Sequence, residues 1–229
     1  MQVMTVATEQ PDLPLVRRLE AVGFRAWPAA SVVYDGSWQV RLTQGHPSKR
    51  LNCVVPLDPS DYRDVAQRLE RIGERFEEAG CRFVLRETPL APQPMLQHLA
   101  AHGWTAFETV DVLTVDLTSL ELPDTLDYLP GHDVGRFAEA CLHVAGEDMA
   151  TKPALAEVLS AIKPNSGFFM NQDPDNGAVA TVLCVQDNDL ASILSLAVEQ
   201  SRRLVPHRQH HRVQPAARLI DAILARRVG

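Results

Sequence analysis

The stretch from Leu196 to His211 holds the residues of this chain whose types and spacing could do chemistry. It reads LAVEQSRRLVPHRQHH, an apolar run followed by one acid, a pair of arginines and three histidines. Glu199 could act as a general base if burial raised its pKa. Arg202 and Arg203 could attract a phosphate group by charge. The alternatives are a solvated acid at a strand end and an exposed basic loop.

The three histidines of this stretch raise the question of a metal site, because zinc is often bound by histidine and cysteine. They are His207, His210 and His211. No cysteine lies near them in the sequence, and the surrounding arginines repel a cation. We therefore expect no metal here and an exposed basic loop instead.

Helices and strands alternate along the first half of the chain. Apolar periodicity predicts three helices, at 13–23, 61–79 and 93–102. β-rich runs predict five strands, at 31–34, 38–43, 51–57, 81–86 and 104–117. Asp35-Gly36 is a hairpin signal, Ser60 is the expected N-cap of the second helix, and Gly23 is expected to end the first. This order implies a mixed sheet in the first half.

A turn-rich, acidic segment at 119–130 is the expected linker between the halves. Three helices are expected after it, at 133–145, 153–163 and 215–227. Three strands are expected between the second and the third of these, at 167–171, 178–186 and 191–198. The predicted fold class is α/β (α+β), with mixed, mostly antiparallel sheets flanked by helices.

Composition and charge exclude several classes of protein. The 229 residues are 45% hydrophobic, and no apolar run is long enough to span a membrane. The N-terminus lacks the features of a signal peptide, and the four cysteines are widely spaced, which favours free thiols in the cytoplasm. The net charge is −7, made up of +6 over residues 201–229 and −13 elsewhere. We therefore expect no nucleic-acid partner and no membrane partner.

The second half resembles the GNAT family of N-acetyltransferases. The resemblance is based on the order of two helices followed by an antiparallel three-strand meander. It is also based on the sequence SGFFMNQDPDNGAVATVLCVQDNDLASILSLAVEQSRR. Residues 26–59, AWPAASVVYDGSWQVRLTQGHPSKRLNCVVPLDP, resemble a bacterial subgroup that has a degenerate N-terminal GNAT-like module. The resemblance covers about residues 15–205. It implies tandem modules, a degenerate one at 1–118 and a GNAT module at 131–229.

The resemblance also implies acetyl-CoA as cosubstrate and an amine, on a small molecule or a peptide, as acceptor. Backbone groups of Leu196, Ala197 and Val198 would hold the pantetheine arm and polarise the thioester. Arg202 and Arg203 would lie at the start of the loop that binds the pyrophosphate. Glu199 would be the general base. Two further acids, Glu147 and Asp148, would attract a cationic acceptor.

The sequence departs from the family after about residue 203. No glycine occurs between Gly177 and Gly229, and Pro206 and Arg208 stand where the phosphate loop of the family has small residues. The sequence after this point resembles out-of-frame translation of a GC-rich gene. The second module is therefore expected to be altered or incomplete. An exposed sheet edge would then favour a homodimer. The alternative function is an inactive GNAT-like protein for binding or assembly.

In the first module, Lys49, Arg50 and Asn52 match the signature of the subgroup. A functional role is one interpretation of them. The other is that Asn52 satisfies backbone groups in a turn or a strand. Trp27 and Trp38 are expected in the core.

Overall fold

The computed structural model describes residues 11–119 and 129–202, apart from the side chain of Ser119. It is a mixed α/β structure with five α-helices and two three-stranded antiparallel sheets within these residues. The chain divides into two compact units. Within the described residues, the first unit comprises 11–24 and 29–105, and the second comprises 25–28, 106–119 and 129–202.

The first unit contains a sheet in the order β1-β2-β3 and three helices. Its elements are α1 (Leu13–Ala26), β1 (Ser31–Asp35), β2 (Trp38–Leu42), β3 (Cys53–Pro56), α2 (Val65–Glu78) and α3 (Gln93–Ala101). The last two residues of α1 are grouped with the second unit. Trp38, Phe76 and Met95 are fully buried between the sheet and the helices, as the sequence predicts for Trp38.

Three local predictions for the first unit are wrong. The helix expected from residue 61 begins at Val65, with Asp64 in a left-handed conformation as its N-cap, and Ser60 instead bonds to Asp58. The helix α1 continues through Gly23 to Ala26. The strand expected at 81–86 is reduced to a single parallel bridge between Val54 and Leu85. The named strands of this sheet are therefore all antiparallel.

The second unit contains a sheet in the order β4-β5-β6. Its elements are α4 (Val134–Ala145), α5 (Lys152–Ser160), β4 (Asn165–Asp173), β5 (Gly177–Asp187) and β6 (Leu190–Val198). Asp133 caps α4 by accepting a hydrogen bond from the N–H of Arg136. Phe137 of α4 stacks on Phe168 of β4 with ring centroids 4.8 Å apart. These helices and strands share one core, against which Trp27 also packs.

The segment expected as a strand at 104–117 pairs with none of the strands in the described residues, and this prediction is also wrong. Residues 104–116 are exposed, including Val110 at 71%. The expected linker at 119–130 lies mostly outside the described residues. The helix expected at 215–227 lies entirely outside them.

Candidate functional site

An irregularity in the pairing of β5 with β6 marks the candidate site. Thr181 pairs with Ala197 and Leu183 pairs with Leu194, so that two residues of β6, Ser195 and Leu196, stand opposite one residue of β5. This is a β-bulge, which bends a strand and redirects its backbone groups. Ser195 has a φ of 48°, a conformation that costs free energy for a residue other than glycine.

A hydrogen bond from β5 supports the bulge. The hydroxyl of Thr181, which is 0% exposed, donates to the carbonyl oxygen of Ser195 over 3.2 Å. Burial raises the pKa of the thiol of Cys141 on α4 to about 12, so this group stays protonated. The strained backbone of Ser195 is therefore supported by a fully buried side chain of β5.

The peptide between Ser195 and Leu196 is oriented by the hydroxyl of Thr181. The N–H of Glu199 donates to the carbonyl oxygen of Val179 over 2.9 Å, which fixes the alternation of the ladder. In that alternation the backbone groups of Ala197 point toward Thr181. Because the carbonyl of Ser195 points to Thr181, planarity of the peptide turns the N–H of Leu196 to the opposite side.

The outer side of β6 is a sheet edge within the described residues, since β5 is its only strand neighbour there. Leu196 is 47% exposed, while Ala197 and Val198 are half-buried. An extended ligand that carries amide groups could pair with such an edge. The structure thus places Leu196, Ala197 and Val198 in succession on β6, with the side chain of Leu196 exposed.

Glu199 and Arg202 form an ion-pair cluster immediately after β6. The Nε of Arg202 lies 3.4 Å from Glu199 Oε2, and its Nη2 lies 2.6 Å from Asp173 Oδ2. Backbone N–H donation from Asp175, followed by the Arg202 guanidinium, lowers the pKa of Asp173. A phosphate group bound to Arg202 would have to compete with two carboxylates. Arg203 lies outside the described residues.

Glu147 and Asp148 lie at the C-terminal end of α4 and are exposed. The helix ends at Gly146, whose φ is 70°. Asp148 accepts a hydrogen bond from the N–H of Ala150 over 2.9 Å and so caps a short 3₁₀ helix at Met149–Thr151. Asp148 therefore has a structural role that was not predicted from the sequence. The acceptor-binding role of both acids stays a prediction.

The sequence analysis missed Thr181 and Ser195. A signal was present for Thr181, because a threonine in the otherwise apolar run AVATVLCV must find a hydrogen-bond partner once it is buried. The positive φ of Ser195 has no such signal, since serine gives no specific preference for it.

Several predicted features fall outside the described residues, namely Pro206, Arg208, His207, His210 and His211. Within the described ranges, no three histidine, cysteine, aspartate or glutamate side chains come together as a metal site. All four cysteines are free thiols. Over the same part of the chain, no helix is long and apolar enough to cross a membrane.

Comparison with protein-family models found no match to this chain. Comparisons with curated proteins and with solved structures likewise found none.

Proposed function

We propose that the chain is an acetyl-CoA-dependent N-acetyltransferase of the GNAT type, with the reaction carried by its second unit. The first unit would be the degenerate GNAT-like module. The observation that carries the proposal is the bulge at Ser195. It lies in β6, and the sequence of this strand resembles the acyl-binding strand of the family. The order of two helices and a three-strand antiparallel meander also supports it.

The bulge supplies what acyl transfer to an amine needs from a protein. A thioester carbonyl oxygen gains negative charge when an amine nitrogen attacks the adjacent carbon. A fixed N–H donor stabilises that charge without reorganising. The N–H of Leu196 is such a donor, because Thr181 holds the preceding peptide in place. Leu196 would therefore polarise the carbonyl, and the stretch from Leu196 through Ala197 to Val198 would lie beside the pantetheine arm.

The reaction balances with the residues present. The amine forms a bond to the acetyl carbon, the carbon–sulfur bond breaks, and CoA leaves as a thiol after gaining a proton. Glu199 would take the proton that the amine loses and pass it on to the departing thiolate, since it follows β6 directly. Its carboxylate is oriented by Arg202 at 3.4 Å. Glu147 and Asp148 would attract the acceptor when that acceptor is cationic.

Calorimetric titration of the full chain with acetyl-CoA tests the proposal, with CoA as the control ligand. Leu196→Pro removes the N–H at an edge position where no ladder bond to β5 is lost. Leu196→Ala keeps the N–H and removes most of the side chain. We expect binding of acetyl-CoA by the unaltered protein and by Leu196→Ala. We expect loss of at least about tenfold in affinity for Leu196→Pro, equivalent to about 1.4 kcal/mol.

The second candidate is a GNAT-like protein without catalytic activity that serves in binding or assembly. The pairing of Arg202 with Asp173 and Glu199 favours it, because these contacts occupy a guanidinium that a phosphate would need. Absence of binding heat from acetyl-CoA, in a sample whose circular dichroism shows a folded protein, would support this candidate and reject the enzyme.

A further inference from the structure

The first unit contains a cluster of three arginines around one buried acid, which we call the arginine cluster. It comprises Arg41, Arg50, Arg86 and Glu20. Glu20 is 7% exposed, and its Oε1 accepts a hydrogen bond from Arg86 Nη2 over 2.8 Å. Arg41 is 2% exposed and packs over the ring of Phe24 at 4.6 Å. Glu20 lies on α1 and Arg41 on β2, Arg50 lies in the loop before β3, and Arg86 directly follows Leu85, the residue that bridges to Val54.

Electrostatic effects connect all four members. Burial raises the pKa of Glu20, although Arg86, Arg41 and Arg50 act in the opposite direction. Partial desolvation is the main cause that lowers the pKa of Arg41 and of Arg50; Arg86 lowers both further, whereas Glu20 acts in the opposite direction on both. Cys53 adds no charge, because burial raises the pKa of its thiol to about 11. Taken together, these groups carry a surplus of two positive charges.

The loop that carries Arg50 is fixed by Asn52. The side chain of Asn52 accepts the N–H of Thr43 over 2.7 Å and donates to the carbonyl oxygen of His46 over 2.7 Å. This confirms the interpretation that Asn52 satisfies backbone groups. The carbonyl oxygen of Arg50 in turn accepts a hydrogen bond from Arg41 Nε over 3.1 Å. The backbone at Arg50 is therefore held rigidly against Arg41.

The side chain of Arg50 contrasts with its fixed backbone. It is exposed, and within residues 11–119 and 129–202 its guanidinium makes no hydrogen bond or ion pair. Arg86 is 36% exposed and uses one nitrogen for Glu20. Two accessible guanidinium groups thus lie in one cluster that has more positive than negative charge.

We propose that the arginine cluster binds a phosphate dianion through Arg50 and Arg86. Guanidinium groups present pairs of donors that match the oxygens of phosphate. A dianion would neutralise the surplus of two charges, whereas a single carboxylate would leave one. The fixed loop lowers the entropy lost on binding. The site lies wholly in the first unit, so it is independent of the proposed acetyltransferase site.

The test is a titration of the full chain with inorganic phosphate, followed by backbone amide NMR at constant ionic strength. The test variant is Arg50→Gln. The matched control is Arg75→Gln, which removes the same charge from an exposed position on α2. Glu20→Gln removes the acid that competes with phosphate for Arg86 and keeps a hydrogen-bond acceptor. Acetate at equal ionic strength controls for single negative charges.

We expect saturable shifts confined to residues 41–53 and 84–86 in the unaltered protein and in Arg75→Gln. Arg50→Gln should weaken phosphate binding at least about tenfold, and Glu20→Gln should strengthen it. Glycerol 3-phosphate distinguishes the two sources of this chemistry, because tighter binding than phosphate indicates a phosphorylated small molecule and equal binding indicates the free ion. Absence of saturation, or equal affinities for Arg50→Gln and Arg75→Gln, would overturn the proposal.

Discussion

The hydroxyl of Thr181 donates a hydrogen bond to the carbonyl oxygen of Ser195 over 3.2 Å, directly at the bulge between β5 and β6. Ser195 has a φ of 48°, which serine adopts only when the surroundings enforce it. Since Thr181 is fully buried, its hydroxyl has no access to water and must be satisfied within the fold. The two residues therefore stabilise each other, and the N–H of Leu196 is oriented as a consequence.

Replacement of Thr181 by valine should release the bulge. Thr181→Val keeps the shape of the side chain and leaves the carbonyl of Ser195 without its partner, at a cost of about 1–2 kcal/mol in the free energy of unfolding. Amide hydrogen exchange at residues 195–197 should become about tenfold faster, because local opening becomes easier. Acetyl-CoA affinity should fall in parallel if the proposed function holds.

Thr181→Ser is the matched control. It keeps the hydroxyl and loses one buried methyl group, so its stability falls by about 1 kcal/mol while the hydrogen bond remains. Exchange at residues 195–197 should stay close to that of the unaltered protein. Equal exchange rates in the valine and serine variants would mean that the hydroxyl does not hold the bulge.

The strands of the second unit could be predicted from the sequence, because each carries its signal locally. The apolar runs and the turns that separate them predict β4, β5 and β6 to within two residues at each end. The position of Leu196, Ala197 and Val198 in succession on β6 follows from this. The bulge does not, because it is one extra residue in β6 relative to β5, and the pattern within either strand does not mark it.

The wrong predictions have a shared physical cause. The alternation at Val110, Val112 and Val115 favours a strand, yet a strand exists only where a neighbour accepts and donates its hydrogen bonds. None of the described strands pairs with that segment. The same holds at 81–86, where Val54 supplies only one bridge. Local propensity cannot indicate whether a partner is within reach.

Glycine is required at the hairpin turn of the first unit for two separate reasons. Gly36 has a φ of 59°, and a Cβ there would lie 2.5 Å from Asp61 Oδ2 and 2.8 Å from Arg68 Nη2. Gly45 has a φ of 76°, with open space around it. We expect Gly45→Ala to cost about 1 kcal/mol, the backbone strain alone, and Gly36→Ala to cost about 3 kcal/mol.

Urea unfolding of both alanine variants measures this difference. The comparison isolates the steric contact, because both positions pay for a positive φ. If the two variants unfold at the same urea concentration, the contact with the Arg68–Asp61 pair carries no energy.

Arg68 and Asp61 should make the stability of the first unit fall in acid. Hydrogen bonds from Arg68, with further ones from Ser37, lower the pKa of Asp61 to about 2. A carboxyl group whose pKa is lower in the folded state stabilises the fold above its unfolded pKa of about 4. That contribution is lost as the pH falls from about 4 to about 2.

After allowance for screening by solvent, the free energy of unfolding should fall by about 1–2 kcal/mol on acidification. Urea unfolding at pH 6, 4 and 2.5 measures this change. Asp61→Asn should be less stable at pH 6 and should lose less on acidification. Asp64→Asn is the control, since Asp64 is exposed and its side chain makes no capping hydrogen bond. A pH dependence that is the same in both variants would assign the acid sensitivity to other groups.

Three of the four thiols should resist alkylation in the folded protein. Burial raises the pKa of Cys53 and of Cys184 to about 11, and that of Cys141 to about 12. Because only the thiolate reacts, these groups are almost entirely unreactive at pH 8. Iodoacetamide followed by mass spectrometry should therefore modify them only after denaturation. Rapid labelling of Cys141 in the native protein would mean that its buried site opens frequently, and it would contradict this prediction.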